Sequence, residues 1–195
     1  MNEADVKKAL YKTELTKLSL SDPETRIVEE FCILGGKVRV DISAINGQLH
    51  GYEIKSAVDN LERLPRQQKY YNQIFDKINI VAFEKHVPKA VKLVPPCWGL
   101  ISASEGVNGT LLETIWPARQ NFEVDAEALV QLLWRDEVMS ILKTHGIARG
   151  LSSKSRKYLW KVLVAELDLP TIKASVRNCL KYRMDWREDK SAIYQ

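Results

Sequence analysis

Residues 38–55 of this chain read VRVDISAINGQLHGYEIK, and this stretch decides the fold. Its apolar residues alternate with polar ones, which is typical of β-strands that lay one face on a core. Asn46-Gly47 separates the two alternating halves, and this dipeptide is a strong signal for a hairpin turn. The stretch therefore predicts two antiparallel strands, over about 37–45 and 48–56.

The length of the turn decides which residues share a face of this hairpin. A strict two-residue turn would put Asp41 and Glu53 on opposite faces, so that one of the two acids would be buried. A three-residue loop with a left-handed Gly47 pairs Ala44 with Gln48 instead, and all apolar residues then share the core face. We expect this three-residue loop. The opposite face then carries Arg39, Asp41, Glu53 and Lys55.

A second hairpin precedes the first. Gly35-Gly36 predicts a two-residue turn after a strand over 26–34, and the resulting register places Glu30 beside Asp41. The neighbouring Glu29 would point inward, so we expect Glu30 to be the functional acid. The candidate site is then a polar face of three adjacent strands that carries Glu30, Asp41, Glu53 and Lys55.

Carboxylates this close repel one another, and a divalent cation would favour their ionised forms. Mg²⁺ prefers hard oxygen ligands, and a nearby amine such as Lys55 can steer or deprotonate a water bound to the metal. The alternative is a solvated ladder of salt bridges, in which Arg39 and Lys55 neutralise the acids. Four such groups on one predicted face favour the functional interpretation.

These residues resemble the core of the PD-(D/E)XK nuclease superfamily, which has the restriction-endonuclease-like fold. Glu30, Asp41, Glu53-Ile54-Lys55 and Gln67 match the order of its motif. The strings GYEIKS at 51–56 and LERLPRQ at 61–67, followed by Tyr70-Tyr71, resemble a small bacterial and phage-associated family within it. The resemblance covers about residues 25–105. It departs from the motif in having Val40 before Asp41, and in placing Glu30 on a strand rather than on the leading helix.

The resemblance implies an α/β fold with a mixed sheet (α+β) and an αβββαβ core. The sequence pattern adds a hairpin and a C-terminal helical appendage to this core. It also implies an Mg²⁺-dependent or Mn²⁺-dependent deoxyribonuclease, acting in DNA repair, recombination or phage-related DNA processing. Asp41, Glu53 and the Ile54 carbonyl would bind the metal, supported by Glu30. Lys55 would activate the attacking water, and Gln67 would orient the phosphate or Lys55.

The sequence predicts two domains, a nuclease-like domain over 1–117 and a basic three-helix appendage over 118–195. The first would contain helices over 3–17, 65–77 and 88–94, with further strands over 78–83, 98–103 and 110–116. The appendage would contain helices over 125–145, 153–167 and 170–185, joined to the first domain by a polar linker at 118–124. Between 149 and 187 it holds ten basic and three acidic residues, a balance of +7, whereas the whole chain has +4.

Clustered cations next to a polar site predict contacts with the phosphates of DNA. The candidate DNA-binding residues are Arg63, Arg66, Lys69, Lys173, Arg177 and Lys181. Three widely spaced cysteines and the lack of a long apolar run predict a soluble, cytoplasmic protein that does not enter a membrane. By analogy with the fold, a homodimer is expected.

Two other classes of protein compete with the nuclease interpretation. One is a catalytically silent nucleic-acid-binding module that assists a partner enzyme. The other is a structural or partner-binding protein, whose polar face would be closed by its own salt bridges.

Overall fold

The computed structural model describes residues 1–184 of the chain. Its strands are β1 (Arg26–Ile33), β2 (Val38–Ile45), β3 (Leu49–Lys55), β4 (Lys77–Phe83), β5 (Gly99–Gly106) and β6 (Gly109–Trp116). Its α-helices are α1 (Glu3–Leu10), α2 (Thr16–Ser21), α3 (Leu64–Tyr71), α4 (Val87–Leu93), α5 (Ala126–Val130), α6 (Arg135–Thr144), α7 (Arg156–Glu166) and α8 (Leu169–Tyr182). A π-helical turn over Tyr11–Leu15 joins α1 to α2, so the predicted leading helix is confirmed and extends to Ser21.

The six strands form one mixed sheet, in which each strand lies beside the strand that precedes it in the chain. The pairs β1–β2 and β2–β3 are antiparallel, whereas β3–β4 and β4–β5 are parallel. The last strand, β6, is antiparallel to β5. α3 and α4 provide the two crossovers that parallel pairing requires. The predicted mixed α/β class is therefore confirmed.

The β2–β3 hairpin keeps the predicted faces but differs from the predicted register. Ala44 pairs with His50 rather than with Gln48, so the loop consists of residues 46–48. The Asn46 side chain explains the shift, because its Oδ1 accepts the Gln48 amide at 2.9 Å and closes the loop one residue later. Gly47 does not adopt a positive φ, so the predicted left-handed glycine is also wrong. A shift of two residues preserves the alternation, and Asp41 and Glu53 still share a face.

The β1–β2 hairpin has the predicted register, with Phe31 opposite Val40 and Ile33 opposite Val38. Its turn is longer than the predicted two residues, because Leu34–Gly36 forms a short 3₁₀ turn. Glu30 has a φ of 53°, a left-handed conformation within a strand, and no ladder pair joins it to Asp41.

This break at Glu30 and Asp41 changes the face on which the apolar residues lie. Phe31 and Val40 belong to the cluster on the α3 side of the sheet, whereas Ile42 and Ala44 belong to the cluster under α1. The prediction that all apolar residues of β2 share one core face is therefore wrong, since the β1–β2 ladder is interrupted at Glu30 and Asp41 and the faces change there.

The sheet is covered on both faces. On one face, Val6, Leu10 and Leu15 pack on Ile42, Tyr52 and other residues of the sheet. On the other face, a larger cluster joins α3 to the sheet and also includes Leu129, Leu163 and Val176 of the C-terminal helices. Helices on both sides of a mixed sheet give a three-layer arrangement.

The helices after β6 share the larger core with the sheet, although the sequence predicts a separate domain from residue 118 onward. The predicted polar linker is bound to the sheet region by backbone contacts: the Asn121 amide donates to the Asp76 carbonyl at 2.9 Å, and the Asp125 amide to the Gln73 carbonyl at 3.0 Å. The predicted helix over 125–145 is two helices, because extended backbone at Trp134 separates α5 from α6. The end of the predicted third helix, at 185, lies outside the described residues.

Within residues 1–184, none of the helices has the length and apolar character that crossing a membrane requires.

Candidate functional site

The candidate site begins where β2 and β3 separate. Their ladder ends at the pair of Ile42 and Tyr52, and beyond it the Asp41 Oδ2 accepts the Ile54 amide at 2.6 Å. A side-chain oxygen thus replaces the backbone carbonyl that a continuous ladder would offer. The two strands part at this point, and the opening places Asp41 next to Glu53.

Glu53 is almost fully buried and accepts hydrogen bonds on both oxygens. Its Oε1 accepts from Lys55 Nζ and Gln67 Nε2, each at 2.6 Å, and its Oε2 accepts from the Tyr71 hydroxyl at 2.5 Å. The structure therefore brings the predicted residues Glu53, Lys55 and Gln67 together. Tyr71 was not predicted, although it lies four residues after Gln67 and therefore on the same face of α3.

Glu30, on β1, adds a further carboxylate to the site, next to Asp41. Its carboxylate binds Lys7 Nζ at 2.9 Å and Arg39 Nε at 2.6 Å. Lys7 also contacts Glu3 at 2.9 Å and Glu29 at 3.5 Å. The inward-pointing Glu29 is thus a partner of Lys7 on the helix-covered side, as its predicted orientation requires.

Glu3 is the acid that sequence reasoning missed. Carboxylate oxygens of Glu3, Glu30 and Asp41 all lie within 4.8 Å of one another. The sequence did contain a signal for Glu3. It lies one turn before Lys7 on the leading helix, and residues four apart share a helix face.

Burial raises the pKa of Asp41 to about 7, and the charge of Glu53 adds to this rise, while the Ile54 amide opposes it. Burial and the adjacent Glu53 also raise the pKa of Tyr71, which therefore stays a neutral donor. Burial alone would lower the pKa of Lys7, but its hydrogen bonds to Glu3 and Glu30 outweigh that effect and raise it. The site is thus a tightly coupled group of acids with two nearby amines.

Ion pairs close much of this polar face. Lys55 and Arg39 each neutralise one acid, as the salt-bridge interpretation predicts. Both oxygens of Glu53 are engaged by side-chain donors, whereas Asp41 accepts from a backbone amide. Binding of Mg²⁺ or Mn²⁺ by Asp41, Glu53, the Ile54 carbonyl and Glu30 stays a prediction.

The predicted DNA contacts fall into two groups. Arg63, Arg66 and Lys69 are exposed around the first turns of α3, close in sequence to Gln67. The three cations of α8 instead contact carboxylates of the sheet region. Lys173 and Arg177 contact the buried Asp76, and Lys181 contacts Asp22 at 3.1 Å. Their role as DNA contacts stays a prediction, but each already contacts a carboxylate of the protein.

A second basic surface surrounds the start of α7. From 138 to 165 the chain has six basic residues and no acidic one. All six are exposed and, within residues 1–184, have no carboxylate within ion-pair distance. We call the five that lie on α7 or in the segment just before it the α7 basic surface: Arg149, Lys154, Arg156, Lys157 and Lys161. Aromatic rings lie among them, with Lys154 5.3 Å from the ring centre of Tyr158 and Arg156 4.9 Å from that of Trp160.

Comparison with known proteins identifies a family that covers nearly all of the chain. The family model described as Bacteriophage P4 protein cII matches residues 1–192. Protein cII of Enterobacteria phage P4 is 27% identical to this chain over 183 residues, which is 94% of this chain and 68% of that protein. No solved structure matches the chain.

These matches overturn the assignment to the PD-(D/E)XK superfamily. Both point to the phage P4 protein cII family, and neither provides support for a nuclease. The predicted activity as a metal-dependent deoxyribonuclease, and the roles in hydrolysis assigned to Lys55 and Gln67, are withdrawn with it. A short run of acids and one lysine on a split sheet was enough to produce the resemblance.

Proposed function

This chain belongs to the bacteriophage P4 protein cII family, and within that family we propose that it binds nucleic acid and does not hydrolyse it. The α7 basic surface is the observation that carries the proposal. Its exposed cations have no carboxylate at ion-pair distance among the described residues. Such cations attract the phosphates of a nucleic acid and release its counterions on binding.

The contrast between α7 and α8 supports the choice of surface. Both helices are rich in Lys and Arg, but Lys173, Arg177 and Lys181 contact carboxylates of their own chain. A cation held in an internal ion pair would have to give up that pair before it could contact a phosphate. Lys157 and Lys161 can contact a phosphate without losing an ion pair, because no carboxylate within residues 1–184 lies at ion-pair distance from either.

DNA is the partner that we propose. Arg63, Arg66 and Lys69 could add further phosphate contacts on α3, since all three are exposed. Arg63 and Arg66 also lie at the N-terminal, positive end of the helix dipole. The expected homodimer belongs to the same proposal, because two copies would double the number of phosphate contacts.

The test is a salt titration of DNA binding. Binding of a labelled duplex is measured by fluorescence anisotropy between about 50 and 200 mM salt, for the wild type and for Lys157→Ala/Lys161→Ala. We expect the variant to bind more weakly and to lose roughly two units from the salt slope, because each phosphate contact contributes about one. EDTA should leave binding unchanged, and the duplex should stay intact with Mg²⁺ present.

The matched control is Lys8→Ala/Lys12→Ala, which also removes two exposed lysines four residues apart. It should bind DNA as the wild type does. An equal loss in both variants would mean that net charge alone governs binding. An unchanged salt slope in Lys157→Ala/Lys161→Ala would refute the proposal.

A further inference from the structure

A groove with apolar walls lies between α5 and α7, next to the α7 basic surface. Its volume is about 520 Å³, within the range of roughly 300–1,000 Å³ that is usual for small-molecule sites. Val130 of α5 and Val164 and Ala165 of α7 line it. We call it the α5–α7 groove. Walls of this kind suit a flat apolar group better than a hydrated ion.

Trp160 lines the groove and has an unsatisfied donor. Its indole Nε1 is buried and has no hydrogen-bond partner among the described residues. The Arg156 guanidinium lies over the indole ring, 4.9 Å from its centre.

Two cations stand beside the same groove. Lys157 and Lys161 line it from α7 and are separated by one helical turn, a rise of about 6 Å. Both are exposed, so their ammonium groups can meet an anionic chain that passes the opening of the groove. A ligand that fits this groove would therefore have a flat, apolar part, which packs against the walls, and a negatively charged part, which contacts the two lysines.

Building on the nucleic-acid binding proposed above, we propose that the α5–α7 groove holds one unstacked base of a single-stranded nucleic acid. The base packs against Trp160 and the apolar walls, and the adjoining phosphates lie on Lys157 and Lys161. Packing of bases on aromatic side chains combined with a basic track is the general way in which proteins hold single strands. A paired base cannot enter, because it is stacked within its duplex.

Polar groups at the α5 side can meet the edge of this base. Gln131 donates its amide to the Glu127 carbonyl at 2.9 Å, which leaves its own amide oxygen as an acceptor. The Glu127 carboxylate lines the groove as well. Both groups accept hydrogen bonds from exocyclic amines, so the site suits bases that carry an amino group.

The decisive variant fills the groove without touching a charge. Ala165 is exposed at its wall, so Ala165→Phe adds a ring there with little effect on the core. We expect about tenfold weaker binding of a single-stranded DNA of about twelve nucleotides, the loss of roughly one base–aromatic contact. Binding of the same sequence as a duplex should change less than about twofold on the same scale. Trp160→Leu, which removes the aromatic ring, should give a loss similar to that of Ala165→Phe.

Ala174→Phe is the matched control, because it adds the same ring at an exposed position of α8. It should bind the single strand as the wild type does. Unchanged single-strand binding by Ala165→Phe overturns the inference, and so does an equal loss for single strand and duplex. A poly-glutamate peptide that competes as well as the single strand would also overturn it.

Failure here is distinguishable from failure of the proposed function. If duplex binding depends on Lys157 and Lys161 while Ala165→Phe has no effect, nucleic-acid binding is supported and the base site is refuted. If neither duplex nor single-stranded DNA binds, both proposals are refuted.

Discussion

At the scale of single residues, Asp41 is the most unusual group in the molecule. It is an acid whose pKa is raised to about 7 by burial and by the adjacent Glu53. Its folded-state pKa lies above the unfolded value of 3.8. The folded protein therefore holds this proton more tightly, and the resulting stability is present at low pH and is lost as the pH rises from about 4 to 7.

Asp41→Asn should remove this dependence. We expect its free energy of unfolding, relative to that of the wild type, to increase between pH 4 and 7 by up to about 1.4 kcal/mol per pH unit. The carboxamide oxygen that this substitution introduces can still accept the Ile54 amide, so the main change is the loss of a buried charge. Urea denaturation at several pH values, in the presence of EDTA, measures this difference.

The comparison must be made between variants, because His50 acts in the opposite direction. Burial lowers the pKa of His50 to about 4, so its contribution to stability increases as the pH rises from 4 to 6.5. This contribution is common to both proteins and cancels in their difference. Glu113→Gln, which removes a carboxylate at an exposed position of β6, is measured alongside as the control. A difference between Asp41→Asn and the wild type that stays constant with pH would contradict the raised pKa of Asp41.

At the scale of elements, the sequence predicted the strands well because alternation reports the face of a residue directly. The alternation predicted that Asp41 and Glu53 would be close to each other, and the charge of Glu53 does act on Asp41, even though the register differed by two residues. It did not predict that the apolar residues of β2 divide between the two faces of the sheet. The shift in register depends on one hydrogen bond, from the Gln48 amide to the Asn46 side chain, which alternation cannot reveal. The left-handed Glu30 was equally hidden, since nothing in the composition of β1 favours that conformation.

The site residues of β3 and Gln67 of α3 were predicted, whereas two further helical residues were missed. Glu53, Lys55 and Gln67 meet as expected, but Glu3 and Tyr71 arrive through helix packing, which depends on the tertiary structure. The function was mistaken because similar polar faces occur in proteins with different activities. Local chemistry alone could not choose the family.

The attachment of α8 to the sheet depends on Asp76. This carboxylate is 2% exposed, contacts Lys173 and Arg177, and accepts the Leu49 amide at 2.8 Å. Asp76→Ala would leave two cations and one amide without their partner. We expect it to lower the free energy of unfolding by about 3 kcal/mol or more in urea denaturation.

Asp136→Ala is the control for that experiment. It also removes a carboxylate next to an arginine, but the Asp136 side chain is 97% exposed. Its cost should stay within about 0.5 kcal/mol, as is usual for surface pairs. If Asp76→Ala cost no more than this, α8 would be held by its apolar face alone.

At the scale of the whole molecule, the larger core cluster joins the sheet, α3 and the C-terminal helices. Because these parts bury one another, we expect a single unfolding transition despite the two predicted domains. Helix content followed by circular dichroism and tryptophan fluorescence should give the same urea midpoint. Two separate midpoints would instead support the predicted boundary at 117/118.

The order of strands in the sheet governs how the chain can assemble during synthesis. Each strand can pair with one made just before it, so the sheet can grow in step with the ribosome. Asp76 is different, because Lys173 and Arg177 are made about a hundred residues later. Until these two residues are synthesised, Asp76 has no counter-charge from α8. The ion pairs that attach α8 to the sheet therefore form only after all six strands have been made.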